Sequence, residues 1–231
     1  MRTPVLLPLI AAGVLGGSAA AAGVRSPVVV ELFTAQGCAS CPQADKMLQE
    51  IATRRGVIAL MLPVDYWDYL GWADTFAEPA YTERQRAYAR RLKVREIYTP
   101  EIVVNGRKEA QGLDKDAVDA LIHDAARDLD DGPRIQMLRE GARVRVSGGA
   151  GRAEVWLVRY DPQEHSVRVK TGDNKGKLVL QRYVVRQLTR LGGYSVGVRT
   201  YAVPKALMEG LSTLVMVQGV RGGPIEAVTK G

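Results

Sequence analysis

The sequence predicts an α/β fold over its first half and an all-β, sandwich-like fold over its second. Three observations carry this reading. Up to residue 133, β-branched apolar runs alternate with helical i, i+3, i+4 patterns. Beyond it, short strand-like segments are separated by turn-forming residues. The charge balance also reverses. Residues 23–133 hold 14 Lys+Arg against 18 Asp+Glu, a net of −4, and residues 134–231 hold 17 against 7, a net of +10. The Asp-Leu-Asp-Asp-Gly-Pro stretch at 128–133 is acidic and turn-rich and is the expected boundary. The expected division is a signal peptide over 1–22, an α/β domain over 23–133 and a β-sandwich-like domain over 134–231.

The first 22 residues read as a secretory signal. Arg2 is the positive n-region, and residues 5–16 are apolar but too few to span a bilayer comfortably. Ser18-Ala19-Ala20-Ala21-Ala22 offers A-x-A cleavage sites. The competing reading is a retained N-terminal membrane anchor. Export to the periplasm or the medium places the chain in an oxidising compartment, where nucleic acid is not an expected partner. The basic half could meet an anionic membrane surface weakly, or its charge could be answered by the acidic half.

In the first half, Val28 to Thr34 is a buried-type strand. Pro42 opens a helix to about Thr53, since the first helical turn needs no N–H there. Ala44, Met47, Leu48 and Ile51 form its apolar face. Val57 to Val64 is a second strand, followed by a loop over 65–78 and a helix from Pro79 to Leu92. Glu101 to Val104 is a third strand, Asn105-Gly106 a hairpin turn, and Arg107 to Gln111 the returning strand. Asp114 caps a last helix with Val118, Leu121, Ile122 and Ala125 on its apolar face. In the second half, strands are expected at 143–147, 153–160, 166–170, 178–184, 195–203 and 213–220. Gly148-Gly149, Gly172-Asp173-Asn174 and Gly192-Gly193 punctuate them.

Cys38 and Cys41 are the only cysteines and form one C-x-x-C. The run Val28 to Thr34 leads through Ala35-Gln36-Gly37 to Cys38, where a helix is about to start. Helix-terminal N–H groups and the positive dipole end stabilise a thiolate there, and the thiolate is what attacks a disulfide. Three other readings compete. A structural staple over so short a loop removes little chain entropy, about 2 kcal/mol against about 4.7 kcal/mol for a 100-residue loop. A structural zinc site wants four ligands, and His123 and His165 lie far off in sequence. Coincidence is the third. No metal and no cofactor is expected, because dithiol chemistry resides in the two sulfurs.

With the C-x-x-C after the first strand, and Thr99-Pro100 just before the third, the first half resembles the thioredoxin superfamily. The chain is similar in particular to a family of secreted thioredoxin-like proteins catalogued as a domain of unknown function. Glu31 to Asp45, Val64 to Trp72, Gln85 to Tyr88, Tyr98-Thr99-Pro100, Val103 to Arg107, Val155 to Tyr160 and Val184 to Leu188 carry the match. The resemblance implies a thioredoxin-like domain, a cis Pro100 beside the cysteines, and a groove at Thr99 and Pro100 that receives substrate as an added strand. It also implies that an acid buried in the first strand carries protons, and Glu31 is the candidate. Glu31 could equally be an edge-facing or salt-bridged carboxylate.

Two other clusters stand out. Tyr66, Trp67, Tyr69 and Trp72 crowd the loop after the second strand, where α/β sheets place ligands. Tyr66, Trp67 and Trp72 suit the rim of a peptide groove, or a satellite core that pins the loop. Arg84, Arg86, Arg90, Arg91, Lys93 and Arg95 read as a solvated helix face or an anion site. The function these readings imply is exported thiol–disulfide oxidoreduction on protein thiols or disulfides. Cys38 is the attacking thiol, nearer the exposed turn, and Cys41 the resolving one. The alternative is a non-enzymatic exported binding protein with a structural disulfide.

Overall fold

The computed structural model describes residues 26–128, 132–149 and 151–231. The expected signal segment therefore lies outside the described residues, as does part of the 128–133 boundary. The elements of the first half are β1 (Val28–Thr34), α1 (Cys41–Ala52), β2 (Val57–Pro63), α2 (Pro79–Leu92), β3 (Glu101–Val104), β4 (Lys108–Gln111) and α3 (Lys115–Arg127). They follow the expected order. A 3-10 turn over Asp68–Leu70 sits in the loop before α2. The Asp114 side chain caps α3 by accepting from the Ala117 N–H at 3.0 Å, satisfying one of the free first-turn donors.

The second half holds β5 (Arg134–Leu138), β6 (Arg143–Ser147), β7 (Ala153–Asp161), β8 (His165–Arg168), β9 (Leu178–Gln181), β10 (Val184–Tyr194), β11 (Val198–Ala202), β12 (Ser212–Gly219) and β13 (Ile225–Lys230). Four of these depart from expectation. β5 and β13 are additional strands. The expected strand over 178–184 is two: Tyr183, at φ 60°, breaks it and starts β10, which runs through Gly192-Gly193 as a strand rather than a turn.

The larger departure is in how the halves meet. One eight-stranded sheet runs β13-β12-β7-β10-β2-β1-β3-β4. The join is parallel pairing of β10 with β2 at Val184 and Met61, with the Met61 N–H donating to Tyr183 O at 2.9 Å. The second half is therefore not a sandwich standing apart: four of its strands continue the sheet of the first half. Sheet-on-sheet packing is nevertheless present, because the sheet β11-β6-β5 covers one face of that extension through Val144, Val146, Val155, Leu157, Val215 and Val217. Strands β7 and β12 are apolar on both faces, so each needs a cover on both. On the other face Val158, Tyr160, Leu214 and Met216 join Phe33, Tyr81, Tyr88 and both cysteines in one core. The third core lies under α1 and α3 on the far side of β1–β3. The fold of the described residues is mixed α/β, with one large sheet and two small ones.

Candidate functional site

β1 and β2 run parallel and in register, Val28 opposite Val57 to Thr34 opposite Pro63, so the loops that leave them emerge at the same end of the sheet. The first loop turns through the Cys38 N–H to Ala35 O and the Cys41 N–H to Cys38 O, both 3.2 Å. Cys41 is the first residue of α1, with Pro42 behind it. Cys38 thus stands before the helix, not at its opening position. The two cysteines form a disulfide with Cα atoms 5.4 Å apart. Neither is at an exposed turn: Cys38 is 1% and Cys41 0% exposed. That corrects the expectation of an accessible Cys38; the turn that carries it lies against the shared core and is also bonded by a loop of the second half.

That loop is 169–177, between β8 and β9. Asn174 donates from Nδ2 to the carbonyl oxygens of Gln36 (2.9 Å) and Cys38 (2.7 Å). Gln36 is the hub below it. Its N–H donates to Asp74 Oδ2 at 2.7 Å, and its Nε2 to Gln181 Oε1 at 2.8 Å. Its Oε1 accepts from Trp72 Nε1 at 2.9 Å and from the Thr75 N–H at 3.2 Å. Trp72 therefore braces the C-x-x-C turn through Gln36.

Thr99–Pro100 is cis. It leads into β3, whose first residue Glu101 lies opposite Phe33 of β1, which sets Pro100 at the end of β1 that feeds the cysteine turn. Trp67 spans the gap. Its Nε1 donates to Thr99 Oγ1 at 2.8 Å, and its Cβ is 3.7 Å from where a Cβ on Gly37 would stand. Tyr66 and Trp67 both pack on the core that contains the cysteines, and burial pushes the Tyr66 phenol up to about 12. Gly112 closes the other side of Pro100. Its N–H donates to Pro100 O at 2.8 Å, and a Cβ there would stand 2.8 Å from Pro100 Cβ.

Glu31 lies in a buried ion pair. It is buried in mid-β1 and accepts from Arg84 Nε at 2.6 Å and from the Arg84 NH2 group at 3.2 Å, with the Tyr88 hydroxyl as a further donor. Arg84 also donates to Gln218 Oε1 of β12 at 2.9 Å. This is the salt-bridged reading of Glu31. The arginine cluster accordingly divides: Arg84 is buried, whereas Arg86 and Arg90 face solvent.

The carboxyl one helical turn from Cys41 is Asp45, which sequence reasoning did not single out. It is fully buried, accepts from Thr34 Oγ1 at 2.7 Å, and its Oδ2 has no hydrogen-bond partner among the described residues. Burial pushes its pKa up to about 8 against the Thr34 bond, with the Asp74 charge adding to the rise. The signal available in the sequence was its i, i+4 spacing from Cys41, on one helix face. Glu101 is a second buried acid, raised by burial to about 7 although Gln85 donates to it. Asn174 carried no sequence signal beyond its turn. Among the described residues, no group of three or more His, Cys, Asp or Glu side chains is placed to hold a metal ion.

Residues 29–218 match the family described as Protein of unknown function (DUF1223), a span that includes both cysteines, Pro100 and Asn174. The chain belongs to the DUF1223 family. A crystal structure of a protein from Agrobacterium tumefaciens resembles this DUF1223 chain with a TM-score of 0.71 and 30% identity, over 88% of this chain and 92% of that one. HBP35 of Porphyromonas gingivalis resembles it in fold alone, with a TM-score of 0.60 and 13% identity, over 90% of this chain and 75% of that one. In sequence, a probable thioredoxin of Archaeoglobus fulgidus is 42% identical over 38 residues, which is 16% of this chain and 42% of the thioredoxin's length. The DUF1223 site thus has a disulfide at the start of α1, a buried carboxyl one turn along, and a proline wall held by Gly112 and Trp67.

Proposed function

We propose that this protein is an exported thiol–disulfide oxidoreductase of thioredoxin-like type, acting on protein thiols through Cys38 and Cys41. The observation that carries the reading is the short-loop disulfide at the start of α1 with the buried Asp45 one turn beyond it. A bridge across two intervening residues contributes little as a staple, so the structural-disulfide alternative is not favoured. The order of β1, C-x-x-C, α1 and then Pro100 ahead of β3 supports the thioredoxin-like assignment, as does the short match to a probable thioredoxin.

The chemistry proceeds in two exchanges. A substrate thiolate attacks Cys38 Sγ, a mixed disulfide forms, and the electron pair of the old S–S bond leaves on Cys41 Sγ. Asp45, raised to about 8, still holds its proton at neutral pH, and it is assigned as the source of the proton that the leaving thiolate takes up, directly or through one water. A second substrate thiolate then attacks the substrate sulfur and releases Cys38. The substrate dithiol is oxidised by two electrons and the protein disulfide is reduced. A disulfide such as oxidised glutathione restores it, and the reverse sequence reduces a substrate disulfide. The compartment is the periplasm or the medium. Arg134, Arg143 and Arg145, on the outer face of β5 and β6, are assigned a weak contact with anionic membrane.

The test is Cys41→Ser expressed in the native compartment. It captures a mixed disulfide between Cys38 and its substrate, and Cys38→Ser captures little. The reading is overturned if neither variant captures a protein and the wild-type pair resists reduction by a glutathione buffer.

A further inference from the structure

The segment bonded over the cysteine turn is built as a separate piece. Among the described residues, β8 and β9 pair with each other and with no other strand. Their loop reaches back to residues more than 130 positions earlier in the chain. Asn174, at its tip, is 0% exposed, and its amide nitrogen faces the Gln36 and Cys38 carbonyls. The Lys177 ammonium donates to Asn174 Oδ1 at 3.0 Å, which holds the amide that way round. Thr171 Oγ1 donates to Leu70 O at 3.3 Å, and a Cβ added at Gly172 would stand 3.7 Å from Gly37 and from Leu70. Gln181 of β9 completes the seam through Gln36.

The outer side of the hairpin is unclaimed, with Leu178 54% and Leu180 43% exposed. Lifting it breaks side-chain seams and no ladder of the two larger sheets. Its inner side is held by Val169, Val179 and Gln181, all buried, so the hairpin can open locally without melting either larger sheet. An attacking thiolate must reach a sulfur, and in the closed form neither cysteine is open to solvent.

We propose that the β8–β9 hairpin is a cap on the Cys38–Cys41 pair, latched by Asn174, and that the pair exchanges with thiols only when the cap is off. As regulation of the site this rests on the oxidoreductase reading. As a statement about access it does not, and the experiment separates the two.

The rate at which dithiothreitol reduces the full-length protein is followed by alkylation and mass measurement, in wild type and three variants. Asn174→Ala removes the latch. Asn174→Asp keeps its size but has no donor and turns a carboxylate toward two carbonyl oxygens, so it tests the latch even if the alanine variant folds badly. Val144→Ala truncates the core between the three-stranded sheet and the large one and controls for lost stability. Both Asn174 variants are reduced roughly tenfold faster than wild type, the loss expected for buried hydrogen bonds, while Val144→Ala is not. The cap is overturned if the Asn174 variants are reduced at the wild-type rate, or if Val144→Ala speeds reduction as much. Turnover of a peptide disulfide is measured on the same samples. Faster reduction with no turnover in any of them keeps the cap and removes the oxidoreductase reading.

Discussion

Thr34 and Asp45 meet where β1 gives way to the cysteine turn: the threonine hydroxyl donates at 2.7 Å to Asp45 Oδ1, and Oδ2 is left without a partner among the described residues. The folded chain therefore holds a proton on Asp45 up to about pH 8, whereas the ordinary value is 3.8. Between those values the unfolded chain is ionised and the folded one is not, so stability falls as pH rises, by about 1.4 kcal/mol per unit at most. A carboxamide in its place does not titrate. Asp45→Asn is expected to be no more stable than wild type below pH 4, increasingly more stable toward pH 8, and offset by a constant above it. Urea melts at a series of pH values check this; parallel profiles for the two proteins would sink it. If Asp45 also serves Cys41, the same variant slows exchange at neutral pH.

Arg84 and Glu31 form a buried ion pair, with side chains 6% and 1% exposed. Removing one partner of such a pair costs about 3–5 kcal/mol, because the other charge stays buried alone. Arg84→Ala is expected to lose stability on that scale in a denaturant melt. Glu31→Gln, which keeps an oxygen for Arg84, is expected to lose less and to leave the dithiol exchange rate unchanged. A slower exchange in Glu31→Gln with an unaltered melt would return Glu31 to the proton-carrier role.

The first half was legible because its signals are local. A β-branched run makes β1, Pro42 marks the first turn of α1, and Asn105-Gly106 fixes the β3–β4 turn. The second half was less so, for reasons that particular strands show. β10 runs Val-Val-Arg-Gln-Leu-Thr-Arg-Leu-Gly-Gly-Tyr, with bulges on both sides of its centre that break the period-2 alternation. Its Gly192-Gly193 imitates a turn. Its pairing with β2, which merges the halves, is a choice of edge that no local pattern encodes. Within the site, the cysteines and Pro100 were readable from motif and order. Asn174 was not, because a latch is defined by the two carbonyls it meets 136 and 138 residues away.

Gly112 tests the proline wall. A Cβ on it would stand 2.8 Å from Pro100 Cβ and 3.0 Å from Pro100 O, closer than real carbon contacts allow, and Pro100 is buried with little room to yield. Gly112→Ala is expected to cost about 1–3 kcal/mol by overpacking and to weaken mixed-disulfide capture in the Cys41→Ser background. Capture at the unaltered level, with the melt shifted as expected, would mean that the wall beside Pro100 does not receive substrate.

The basic half offers one surface on which its charge can be tested. β5 and β6 pair with Gln136 opposite Arg145 and Leu138 opposite Arg143. Arg134, Arg143 and Arg145 all point outward, and none is in an ion pair among the described residues. A basic side chain at an anionic membrane contributes about 1 kcal/mol, so three support weak binding and two carry most of it. The expected result is co-sedimentation with vesicles containing phosphatidylserine at about 0.01 M salt, where the Debye length is about 30 Å, fading by about 0.1 M, where it is about 10 Å. Arg143→Gln with Arg145→Gln is expected to reduce the bound fraction at low salt by roughly tenfold or more, and neutral vesicles bind neither protein. Should the wild type fail to sediment at low salt, the membrane contact is excluded. The excess charge of residues 134–231 is then answered within the molecule, by the acidic half that shares its sheet.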